Sequence, residues 1–171
     1  ADSYDFIDEM TDSNGRTGYF DQGGGSSRLP GYDVTFPSTD TEAMTAVGVL
    51  CRIFADPNFE KPGNEEMVEK GVKLMLDMPI VWNDAQPGRR DFYYWYYATY
   101  ALYQVGGRDW QAWQEGIKLI ADQQIKEGER KGSWDPQVDP WGAAGGRVYS
   151  TAILALLLEV YSRYDTVMGS H

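Results

Sequence analysis

Apolar positions along the chain recur at helical spacings, in blocks separated by glycine-rich stretches. Residues 2–11 form a short amphipathic block, with Tyr4, Phe6, Ile7 and Met10 set among acids. From Ala43 to Phe54 the chain is apolar on nearly every face, which predicts a helix buried on all sides. Ser38 with Thr41 or Glu42 offers overlapping N-cap signals for it, and Asp56-Pro57 the stop. Asn64 is placed to cap a third block, with Glu65 and Glu66 at the positive end of the helix dipole. Met67, Gly71, Leu74 and Met78, widened by Val68, Val72 and Met75, make its apolar stripe opposite Glu69, Lys70 and Lys73.

The fourth block holds eight aromatics: Phe92, Tyr93, Tyr94, Trp95, Tyr96, Tyr97, Tyr100 and Tyr103. Aromatics favour strands. The continuation to Gln104 has no period of two, however, and Gly106-Gly107 is a helix stop, so a helix capped by Asp91 is expected. Asp109 opens a fifth block with a stripe of Trp110, Trp113, Ile117, Ile120 and Gln124. Tyr149 to Tyr161 is again apolar all round. Between these lie the polar runs Asp12–Pro37, Ile80–Arg90 and Gly128–Gly146, read as loops.

Amphipathic and fully apolar helices therefore alternate. Units of residues 2–55, 64–105 and 109–164 give three outer–inner helix pairs in two layers, the mark of a helical repeat array. The loops rhyme as well. Gly18-Tyr19 in the first and Gly132-Ser133-Trp134 in the third set an aromatic after glycine, and Trp82 marks a degenerate second. One domain over residues 1–164 follows, with 165–171 a tail; its Met168-Gly169-Ser170-His171 reads as appended sequence. The chain starts at Ala1 with no leader, as after signal removal or as a piece of a longer, cytoplasmic chain, and its compartment is left open.

Composition narrows the chemistry. The net charge is −11 and no Lys/Arg cluster occurs, which argues against nucleic acid. No apolar run is long enough for a membrane span. With one Cys and one terminal His, no zinc site and no Ser-His-Asp or Cys-His arrangement can form, and no cofactor or metal is expected. Asp12, Asp21 and Asp33 among glycines match no EF-hand spacing.

Gln124-Ile125-Lys126-Glu127-Gly128, followed by Gly132-Ser133-Trp134, resembles an interrupted Gln/Trp repeat of the squalene-cyclase and protein-prenyltransferase superfamily. Gly132–Asp135 with Gly146–Ala152, and Tyr94–Thr99, resemble bacterial prenyltransferase/squalene-oxidase repeat proteins. The resemblance implies an all-α fold, a partial α/α toroid with an aromatic-lined cavity. It brings no activity. The Asp-rich proton donor, the zinc ligands and the Cys-Gly-Glu-Gln thioester motif of the superfamily are all missing here.

The expected function is thus a non-catalytic binding or assembly module. The alternative is a small-molecule or carbohydrate-active enzyme fragment working in the inner cavity. Tyr19, Trp82, Asp91, Tyr93, Trp134, Arg147 and Tyr149 are the candidate ligand-binding residues. A tyrosine-lined cavity suits sugars or apolar cations through stacking and cation–π contact. Trp134 and Tyr19 serve equally well as loop pins, and Arg147 as a partner for the surplus acids. Convergence of Asp91, Tyr93 and Arg147 in one open pocket would favour the enzyme. Raw ends of the array predict a homo-oligomer or further repeats.

Overall fold

The computed structural model describes residues 3–82 and 87–163. The tail from 165 on lies outside them. The fold is all-α: α1 (Ser3–Met10), α2 (Ala43–Ala55), α3 (Asn64–Asp77), α4 (Phe92–Val105), α5 (Gly107–Asp122), α6 (Gly142–Leu158) and α7 (Val160–Arg163). Among the described residues the only extended pairing is an isolated bridge between Thr11 and Thr17.

Helix α4 is the centre. It lies beside α2 on one flank and α6 on the other, while α3 packs on α2 and α5 on α4. Its aromatics divide by face. Phe92, Tyr94, Trp95, Ala98 and Leu102 are buried, and Tyr93, Tyr96, Tyr97 and Tyr100 are partly covered. Two of the buried polar side chains here find partners, while the Trp95 indole nitrogen is buried without one. The Tyr94 hydroxyl bonds the Met78 carbonyl at 2.8 Å, and Trp113 Nε1 donates to Thr99 Oγ1 at 2.9 Å. Helices α2 and α3 approach closely because Gly71 has no side chain; a Cβ there would collide with Val49.

Several local expectations are corrected. Glu42 stands at the N-cap position of α2 without capping it, and Thr41 Oγ1 accepts from Ala43 N instead. Glu42 is buried and pairs with Arg16. Asn64 begins α3 after a left-handed Gly63, and its amide turns inward to Asp56 and Arg52 rather than capping. Helix α2 is not covered on all sides, since Cys51, Phe54 and Ala55 are exposed. The last apolar block is two helices. In the first, a short turn from Gly142 ends at Gly146, whose φ of 61° favours glycine, so the unbroken helix starts at Arg147, two residues early. Nor is α6 buried all round: Val148 is 83% exposed, and the buried face is Ser150, Ile153, Leu154 and Leu157.

Candidate functional site

The N-terminal ends of α2, α4 and α6 meet the glycine-rich loop in a cavity of about 480 Å³. That volume lies within the range of small-molecule sites. Each wall comes from a different element. Loop 12–37 supplies Tyr19, Ser26 and Ser27; α2 supplies Met44; α4 supplies Tyr93; Trp141 stands just before α6 and Tyr149 just past its break at Gly146. No Asp, Glu, Lys or Arg lines it.

The charge lies beneath the cavity and is closed on itself. Arg28 Nη2 stands 3.1 Å from Asp91 Oδ2, with both side chains buried, although the approach is not aligned as a hydrogen bond. Arg28 is fixed further by Nε to the Phe36 carbonyl (2.9 Å) and Nη1 to the Ser27 carbonyl (3.2 Å). Asp91 Oδ1 accepts from Tyr94 N at 3.0 Å, so the expected cap of α4 is present. Asp139 spends both carboxylate oxygens on backbone N–H groups, Phe92 at 2.7 Å and Trp141 at 3.0 Å. It thereby ties the start of α6 to the start of α4 and seats Trp141.

Burial, and then the neighbouring Asp91, push the Asp139 carboxyl up to about 7, against the pull of its two N–H donors and Arg28. Burial also pushes the Tyr93 and Tyr149 phenols above their ordinary range, with Asp91 adding to both. Both phenols stay protonated at neutral pH, and Tyr93 offers an O–H donor to the site. The Tyr149 hydroxyl is buried with no hydrogen-bond partner.

A smaller, polar recess of about 230 Å³ adjoins this cavity. The two share Ser26 and Met44 as walls. Ser38, Thr39 and Thr41 bring hydroxyls to the recess, and its two ionisable side chains, Arg16 and Glu42, are paired with each other.

Of the seven candidate residues, Tyr19, Tyr93 and Tyr149 meet in the cavity. Asp91 lies below it, fully buried. The other three are elsewhere. Trp82 is partly buried and packs against the core, 5.7 Å from Phe92 and 5.9 Å from Trp95 between ring centres. Trp134 is 2% exposed and donates to the Ile120 carbonyl at 2.8 Å, so it pins its loop to α5. Arg147 bonds Ser133 Oγ and the Trp134 carbonyl (2.8 Å), away from Asp91 and Tyr93. Arg28, Asp139 and Trp141 were not legible as site residues. The one available signal was Trp141 directly before a glycine, the same pairing as in the other loops but reversed.

Among the described residues no three His, Cys, Asp or Glu side chains gather as a metal cage, and no helix is long and apolar enough to cross a membrane. No family model, no curated protein and no solved structure matches the chain.

Proposed function

We propose that the chain is a non-catalytic binding module, a segment of a squalene-cyclase-like helical array, whose ligand is a small neutral polyhydroxylated molecule held in the aromatic cavity. The observation that carries this reading is the cavity's lining: four aromatic side chains and two serines, without an acid or base. Flat rings stack on the apolar C–H faces of a sugar, and hydroxyls bond its edges. The charges nearby are paired beneath the floor, so nothing there selects an ion.

Catalysis is disfavoured by the same geometry. Asp139 is the group whose carboxyl is tuned toward neutrality, but both its oxygens are committed to the backbone. Arg147 is engaged by the Trp134 loop. An assembly role is part of the proposal too: the open side of α6 around Val148 would meet a second copy or further helices of a longer chain.

Titration of intrinsic tryptophan fluorescence with glucose, galactose and mannose tests the ligand reading. Saturable quenching by at least one sugar, lost in Trp141→Ala with the fold intact, is the expected result. A flat titration with all three sugars, and with their oligomers, would remove the reading.

A further inference from the structure

The cavity does not end at its aromatic walls. Ser26 and Met44 belong at once to the aromatic cavity and to the polar recess, so two chemically different volumes adjoin across a shared wall. The aromatic half offers ring faces from Tyr19, Tyr93, Trp141 and Tyr149. The polar half offers the hydroxyls of Ser38, Thr39 and Thr41 over a floor formed by the Arg16–Glu42 pair. About 480 Å³ in one half and about 230 Å³ in the other is more room than a single sugar ring fills.

Resting on the reading of the aromatic cavity as a sugar site, we propose that the two volumes together bind a neutral oligosaccharide of at least two units, one ring stacked in the aromatic half and the next hydrogen-bonded in the polar recess.

Three features support a neutral, extended ligand over a charged or compact one. The first is charge closure. Arg16 is matched by Glu42 and Arg28 by Asp91, so no lone ionic group faces either half. An acidic sugar would find its counter-ion already taken and would have to break a pair, one member of which is buried. The second is the protonation of the walls. The Tyr93 phenol is held as an O–H donor, which suits hydroxyl and ether acceptors, while the buried Tyr149 hydroxyl leaves only its ring to the ligand. The third is how the shared wall is held. Gly25 packs so close to Ser38 that a side chain there would strike Ser38 Oγ. Ser26 N reaches the Ser38 carbonyl at 3.4 Å, and Arg28 anchors the following residues to α4. The partition between the halves is therefore fixed to the fold rather than left to a free loop.

Chain length is the test. Isothermal titration of the intact chain with glucose, cellobiose and cellotriose, and with maltose and maltotriose, reads affinity against the number of units. In at least one of the two series affinity should rise roughly tenfold from one unit to two. A variant combining Ser38→Ala with Thr39→Val, checked for an unchanged melting temperature, should cut that gain to about twofold while leaving glucose binding in place. Equal affinity for one, two and three units, or a gain untouched by the double variant, would overturn the two-part site and leave the aromatic cavity as a single-ring site. Absence of binding by every saccharide would overturn this inference together with the reading on which it rests. Should the double variant unfold, Thr39→Val alone carries the same comparison.

Discussion

The two ends of α4 each open on a cavity, and the two cavities differ in kind. At the C-terminal end Val105 faces a gap of about 400 Å³ between α3 and α5, lined by Phe59, Val68 and Val72 with Glu65, Glu69 and Asp109 on its rim. At the N-terminal end lies the aromatic cavity of similar size. The first is what remains where two helices diverge. The second is assembled: a long loop is brought across 63 positions by Arg28 to reach Asp91, and Asp139 is spent on holding Trp141 in place. Volume alone would rank the two alike. What separates them is that one end of α4 carries buried polar groups that, besides capping the helix, hold aromatic side chains and serines around an opening.

The largest effect should come from breaking that assembly. Arg28→Met removes the guanidinium 3.1 Å from the buried Asp91 carboxylate, and should destabilise the fold by about 3–5 kcal/mol in denaturant unfolding. Glu69→Gln at the other end should change stability by less than about 0.5 kcal/mol. Equal, small effects would erase the distinction between the two ends.

The pH dependence should be next in size. Asp139 ionises at about 7 in the folded chain against an ordinary 3.8, so between those values the folded state binds the extra proton. Its contribution to stability is therefore fully present at acid pH and is lost as pH rises toward 7, with a slope of at most about 1.4 kcal/mol per pH unit. Against a partial desolvation, Lys61 and Arg52 hold the exposed Asp8 below its ordinary value, and it acts in the opposite sense only at lower pH. Unfolding midpoints between pH 5 and 7 therefore isolate Asp139, and Asp139→Asn should abolish the slope whatever its own baseline.

How these groups are brought together bears on what a sequence can reveal. The cap of α4 by Asp91 was legible because it is local, three residues from its N–H partner. The helices themselves were legible from their periodicity, including the aromatic one, because Ala98–Gln104 carried the pattern past the ambiguous run. Arg28 was not legible. It sits in a glycine-rich loop whose path is set by tertiary contacts, and nothing near it in the chain points to Asp91. Arg147 stands just before the last apolar block in the sequence, but the backbone turn at Gly146 and the Ser133-Trp134 loop take its side chain elsewhere. Trp134 and Trp82 show the general difficulty. A tryptophan in a loop between helices marks a packed loop as readily as a binding surface, and burial decides which.

A smaller effect is expected at Tyr149. Its hydroxyl is buried without a partner, so Tyr149→Phe should leave stability unchanged or raise it by up to about 1 kcal/mol. A clear loss of stability would mean that the hydroxyl is satisfied in solution and that the floor of the cavity is more tightly closed than described.

The central claim is that the loop-built end of α4 binds a ligand and the helix-built end does not. The most direct measurement follows the indole N–H signals of Trp141 and Trp110 in a proton–nitrogen correlation spectrum during titration with cellobiose and with maltose. Trp141 lines the aromatic cavity, and Trp110 follows Asp109 at the rim of the other. The account predicts a saturable shift of Trp141 with Trp110 stationary, for at least one of the two sugars. A shift of Trp110 without Trp141, or no shift of either with both sugars, would contradict it.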